Sequence, residues 1–222
     1  FHNDIKPSNI LIGANGEGIL TDYGISCYSP NLQPAAPISS YIIHLAPETI
    51  TTGAISVLTD IYQIGMTFFR LLNGAGIITH MRKEMGDEKF REKVIRGLIK
   101  SEDYLPFIPM GLKRVINKAL KPNPAKRFQS VVDMRRAIER MDFPGYWDCD
   151  ENGILFGEDE RNFYHFEISK LTNGKIIFTT MKINKNSGRE TKISKYCQKN
   201  LTEKDCKRLQ KNLMQAVVTG TL

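Results

Sequence analysis

Residues 58–72, LTDIYQIGMTFFRLL, are apolar nearly all the way round at helical spacing. A helix of that pattern has no solvent face, so it must be enclosed by a large core. It is too short for a membrane span, which needs about 20 apolar residues, and no stretch of the chain approaches that length. The segments around it supply the enclosure. DEKFREKVIRGLIK (87–100) and GLKRVINKAL (111–120) are amphipathic with helical periodicity. KPNPAKRF then interrupts with two prolines, and SVVDMRRAIERM (130–141) starts a further helix with Ser130 and Asp133 as a capping box. Residues 1–143 are therefore expected to form a mostly helical block.

The composition changes at DFPGYWDCDENG (142–153), a Pro/Gly/Asp-rich stretch that reads as a boundary. GILFG, NFYHFEISKL and GKIIFTTMKIN follow, rich in aromatic and β-branched residues, and Thr172-Asn173-Gly174 marks a tight hairpin turn because Asn-Gly suits positive φ. RETKISKYC (189–197), after the Asn186-Ser187-Gly188 turn, offers a further strand. LTEKDCKRLQKNLMQAVV closes the chain as a helix capped by Thr202, with Cys206, Leu209, Leu213 and Val217 on its apolar face. Residues 144–222 are thus expected to be a small α+β module of antiparallel strands and one packing helix.

Charge separates the same two regions. The chain of 222 residues carries +7, but from Arg161 onward thirteen cations face four carboxylates, leaving the first 160 residues slightly acidic. Phe163, Tyr164, Phe166, Phe178 and Tyr196 interleave with these lysines, as a nucleic-acid platform would require. Aromatics at alternating strand positions serve a core more simply, and the lysines opposite them a solvated face. Cys27, Cys149, Cys197 and Cys206 form no CxxC pair, which argues against zinc; scattered thiols, with no leader resembling a signal peptide, point to a cytoplasmic protein.

The chemistry concentrates in FHNDIKPSNI and the twenty residues after it. Asp4, Asn9 and Asp22 are oxygen donors of the kind that hold a hard cation such as Mg²⁺ against phosphates. Lys6, two residues from Asp4, can neutralise a phosphoryl group in transfer. ILIGANGEGILTDYG reads as two short strands around a turn, which brings Asn9 and Asp22 together at their far ends. A base, a cation and two metal-holding oxygens describe a phosphoryl-transfer site.

HNDIKPSN, TDYG, APE (46–48) and DIYQIG (60–65), in that order, resemble the C-terminal lobe of a protein kinase. KPNPAKRFQS resembles the late segment of the bacterial Hanks-type Ser/Thr kinases. The resemblance covers residues 1 to about 141. It implies that Asp4 is the catalytic base, that Lys6 contacts the γ-phosphate of ATP and that Asn9 and Asp22 bind Mg²⁺. It also implies that His2, Asp60, Glu48 and Arg127 are framework residues: Asp60 holds the catalytic loop, and Glu48 pairs with Arg127. The implied reaction is transfer of the γ-phosphoryl group to a Ser or Thr hydroxyl of a protein substrate. A pseudokinase scaffold whose basic C-terminal module binds a partner is the alternative. A small-molecule kinase of the aminoglycoside type comes third, since it shares H-x-D but not DIKPSN or APE.

The sequence departs from that family in four places. Asn3 stands where many kinases have the Arg that grips an activation-segment phosphate, and Tyr23 replaces the Phe of D-F-G. In SSYIIHLAPE the position of the usual Thr holds Tyr41, with Ser40 one place early. Ser26, Ser29, Ser39, Ser40 and Tyr41 are candidate phosphorylation sites in this segment. Finally, no G-x-G-x-x-G, strand Lys or partner helix Glu is present. The N-terminal lobe is therefore expected in cis beyond a truncation or on a separate chain, with these residues inactive alone.

Overall fold

The computed structural model describes residues 1–39, 41–150 and 153–222; Ser40 and the Glu151-Asn152 part of the boundary stretch lie outside the described residues. Contacts divide the chain into two compact units. The first comprises Phe1–Leu105 and Met110–Arg140, the second Pro106–Pro109 and Met141–Leu222.

The first unit opens with the two-stranded hairpin β1 (Ile10–Ile12) and β2 (Gly18–Leu20), in which Ile10 pairs with Leu20. Helices α1 (Pro47–Thr52), α2 (Val57–Asn73), α3 (Ile77–Met85), α4 (Asp87–Arg96), α5 (Met110–Ala119) and α6 (Val131–Glu139) follow. α2 is the enclosed helix: Ile61, Tyr62, Met66 and Phe69 are fully buried. Its start is fixed by Ser56, whose hydroxyl accepts from Leu58 N while the Thr59 hydroxyl accepts from Ser56 N. Gly65 lets α5 approach closely, because a Cβ there would lie 2.8 Å from the Ala119 Cβ.

Two helical expectations are corrected. The helix from Asp87 stops at Arg96 rather than running to 100, because Gly97 takes φ +110° and Leu98 turns inward to be buried. At the start of α6 the Ser130 hydroxyl accepts from Asp133 N as in a capping box. The Asp133 carboxylate, however, takes the Ser130 hydroxyl proton rather than its backbone N–H.

Among its described residues the second unit forms a six-stranded antiparallel sheet with one helix on it. The strands are β3 (Gly145–Cys149), β4 (Leu155–Asp159), β5 (Asn162–Lys170), β6 (Ile176–Asn184), β7 (Glu190–Lys192) and β8 (Gln198–Leu201). Their order is β3-β4-β5-β6-β7, with β8 also on β6. α7 (Glu203–Thr219) packs Cys206, Leu209, Leu213 and Val217 against Trp147, Tyr164, Ile176 and Phe178.

Part of the stretch read as a boundary is β3. Its Trp147 is buried and donates Nε1–H to Met214 O at 3.1 Å. The turn residues in that stretch masked an alternation in which Tyr146 points out and Trp147 in. In the β5–β6 hairpin only Gly174 of the Asn173-Gly174 pair has positive φ. The Gly174 N–H bonds to Leu171 O, and Leu171 N bonds to Lys175 O, so the loop has three residues rather than two. The strand expected over 189–197 is limited to β7; a 3₁₀ turn, Ser194–Tyr196, buries Tyr196 before β8 resumes pairing with β6.

Candidate active site

Phe1–Lys6, which leads into a 3₁₀ turn at Pro7–Asn9, has no helix or ladder of its own, so its backbone groups need side-chain partners. α2 provides them from one stripe. The Asp60 carboxylate accepts from His2 N at 2.9 Å and Asn3 N at 2.8 Å. Gln63 accepts from Ile5 N and donates to Asn3 O, both at 2.9 Å. The Thr67 hydroxyl donates to Ile5 O at 3.1 Å. Asp60 was anticipated in the sequence; Gln63 and Thr67 were not. Their signal was present, since 60, 63 and 67 are polar positions spaced to share one face of a mostly apolar helix.

Asn3 has φ +64°, a region Asn tolerates better than most side chains, and its Nδ2 donates to Ser39 O at 2.9 Å. The segment at Ser39 is thus tied to the loop through a neutral amide. His2 Nδ1 accepts from Asp4 N, so Nε2 carries the proton and donates to Thr21 O. The His2 ring lies 4.7 Å from that of Tyr23.

These restraints aim Asp4. Its Oδ2 accepts from Lys6 Nζ at 2.8 Å and Asn9 Nδ2 at 2.9 Å. Its Oδ1 is buried and has no partner among the described residues. Asn9 Nδ2 also donates to Asp4 O, so both amide protons are spent on Asp4 and the side-chain oxygen Oδ1 is left to face a cation. Asp22, with φ +62°, sits at the end of β2. Thr21 N and Oγ1 both donate to Asn9 O, which sets Asp22 next to Asn9 in the hairpin. Asn9 and Asp22 together give two oxygen side chains of the hard type Mg²⁺ takes, with phosphate oxygens and water to complete its shell.

Lys6 Nζ also lies 4.7 Å from the centre of the Tyr41 ring, so Tyr41 presents its ring to this lysine.

A second cluster braces the first unit. Arg127 grips Glu48 with two parallel bonds of 2.7 and 2.8 Å and also donates to Leu58 O, Lys121 O and Pro122 O. The Thr59 hydroxyl adds a bond to Glu48 Oε1. With the guanidinium fully enclosed, this network satisfies the whole fork and locks geometry more than it adds stability. Elsewhere in the first unit, and not anticipated, buried His44 lies 2.7 Å from Arg70 NH1 through Nε2. Burial first, and the Arg70 guanidinium second, lower the His44 pKa to about 3. The ring is therefore neutral and accepts the bond.

A family model described as "Protein kinase domain" matches residues 1–138. The chain is 26% identical over 192 residues to the serine/threonine-protein kinase PknD of Chlamydia muridarum, covering 75% of this chain and 20% of that protein. It is 27% identical over 145 residues to PknB of Mycobacterium leprae, covering 64% and 23%. With PrkC of Bacillus subtilis the identity is 25% over 219 residues, covering 93% and 30%. The chain thus spans less than a third of the length of each of these relatives. From the family match over more than half its length, with the ordered loop around Asp4, the chain belongs to the protein kinase domain family.

Proposed function

We propose that the first unit is the acceptor-side half of a Ser/Thr protein kinase. The observation that carries this is the Asp4 carboxylate: Oδ2 is fixed by Lys6 and Asn9 while Oδ1 is buried and unpaired. An orphaned buried carboxylate oxygen is costly unless it has a task, and accepting a hydroxyl proton is the task this geometry suits. Lys6 stands beside Asp4 to offset charge on the phosphoryl oxygens. Asn9 and Asp22 would hold Mg²⁺, which supplies charge neutralisation on the phosphates of ATP when bound. Most of the catalysis is then positioning by residues already locked in place.

The nucleotide's other half would be covered by an N-terminal lobe, in cis or on a separate chain, seated over the β1–β2 hairpin. Supporting this, Leu11, Ile12 and Ile19 on that hairpin are exposed, Ile12 at 74%. The test is phosphate transfer by the full-length protein with Mg-ATP, followed by intact mass. Asp4→Asn and Asp22→Asn should each reduce transfer by a factor of about 10² or more with the fold retained. Undiminished transfer by either variant overturns the assignment. Absence of both transfer and nucleotide binding in the unaltered protein would instead establish a pseudokinase scaffold.

A further inference from the structure

We propose that the second unit carries a binding site for a phosphomonoester borne on a Ser or Thr side chain. The site is a cavity of about 510 Å³ lined by Asn162, Lys182, Asn184, Ser187, Arg189 and Thr191. The strand register explains why these side chains meet. Asn162 lies opposite Asn184, and Lys182 opposite both Tyr164 and Thr191, so β5, β6 and β7 present them on one sheet face. This is the face that carries α7, since buried Tyr164 packs with Leu213 and Val217, yet no α7 residue lines the cavity.

The lining has two cations, two hydroxyls, two carboxamides and no carboxylate. Neither Lys182 nor Arg189 forms an ion pair or side-chain hydrogen bond among the described residues. The other charges nearby are accounted for. Lys185 pairs with Glu158 and lies over the Phe163 ring, and Glu190 pairs with His165 across β5–β7. Asp159 bonds the Tyr164 hydroxyl, Arg161 N and Asn162 N. Burial raises the Asp159 pKa, but these hydrogen bonds outweigh it and keep the carboxylate ionised. Asn184 Oδ1 is likewise spent, accepting from Asn186 N, Ser187 N and the Ser187 hydroxyl, which leaves its NH₂ as a donor.

The Ser187 hydroxyl proton goes to Asn184 Oδ1, and the Asn162 amide donates to Asp159 and the Tyr164 hydroxyl. The unspent groups are therefore two positive charges with the Asn184 amide and the Thr191 hydroxyl as neutral donors. A phosphomonoester carries a charge of about −1.5 to −2 and three acceptor oxygens, which matches that set. A carboxylate or a phosphodiester would leave one cation uncompensated, and no aromatic platform lines the cavity for a nucleic-acid base. The adjoining turn, Asn184-Lys185-Asn186-Ser187-Gly188, has no apolar side chain to enter a bilayer. The choice of a protein carrier rests on the Ser/Thr kinase reading of the first unit, whose product such a site would retain.

The test uses the 222-residue chain without nucleotide, so it reads binding whether or not transfer occurs. Inorganic phosphate titrated into the ¹⁵N-labelled chain should shift amides within 182–191 saturably. A fluorescent phosphoserine peptide should bind at least about tenfold more tightly than its unphosphorylated form, since a charged hydrogen bond is worth about that factor. Lys182→Gln with Arg189→Gln should remove that preference. Lys199→Gln with Lys207→Gln, which changes exposed lysines elsewhere, should not. If the double variant melts below the unaltered chain, each single variant should still lose about tenfold. Absence of saturable shifts, equal binding of the two peptides, or full binding by the folded double variant overturns the site. Capture by phosphatidylcholine vesicles containing phosphatidylinositol 4-phosphate, without phosphopeptide binding, overturns the protein carrier.

Discussion

His44 shows how one side chain can tie stability to pH. In the unfolded chain it takes a proton near pH 6.5; folded, burial and Arg70 keep it neutral down to about 3. The unfolded state therefore binds the extra proton between those values, and stability present above pH 6.5 is lost as pH falls through this window. Between pH 7.5 and 5 the contribution is on the order of 2 kcal/mol. His44→Asn should flatten that part of the pH dependence, measured by urea unfolding at both pH values. An equal loss in the variant would assign the sensitivity elsewhere. Nothing local in the sequence marks His44 as buried, because its partner Arg70 lies twenty-six positions on. That Asp4, Lys6 and Asn9 meet was legible because they lie within six residues of one another, and the structure brings Lys6 and Asn9 onto Asp4 Oδ2.

Among elements, α2 joins packing to the site. One side buries Ile61, Met66 and Phe69, while Asp60, Gln63 and Thr67 hold the loop before Asn9. Gly65 sets its distance from α5. Gly65→Ala raises helix propensity by about 1 kcal/mol but puts a methyl against Ala119 and Leu120. Overpacking of this kind costs about 1–3 kcal/mol, so the variant should be destabilised overall in chemical denaturation. A stabilised variant would show that the contact relaxes freely. The helix itself was readable from its periodicity, within a residue at each end. β3 and β8 were not: β3 is five residues inside turn-rich sequence, and β8 is four residues with an interior left-handed Asn200. Short strands depend on partners distant in the chain, which local pattern does not reveal.

Across the whole molecule the path of the chain is not two consecutive blocks. Pro106–Pro109 belongs to the second unit although it lies between α4 and α5. Gln215 of α7 donates to Pro106 O and Ile108 O at 2.9 and 3.1 Å, and Phe107 packs against the cluster around Trp147 and Leu213. Phe107→Ala should therefore destabilise the second unit by about 1–3 kcal/mol, read from the shift of Tyr164 and Trp147 signals in denaturant. No shift in those signals would show that the segment merely lies along the surface. The division at 143/144 inferred from composition missed this strap, since four residues carry no compositional signature of the unit they join.

That strap has a consequence for how such a protein can be inherited. A module attached only at its end can be exchanged between genes by a single crossover. Here the strap is encoded upstream of α5 and α6, while the rest of its unit is encoded downstream of them. A recombination event at residue 141 would deliver the sheet and α7 without Phe107 and the two carbonyls that Gln215 holds. A sheet and helix transferred that way would have to cover the Trp147 cluster and satisfy Gln215 without their strap, so 106–109 is part of the module's fold although it is encoded inside the helical unit.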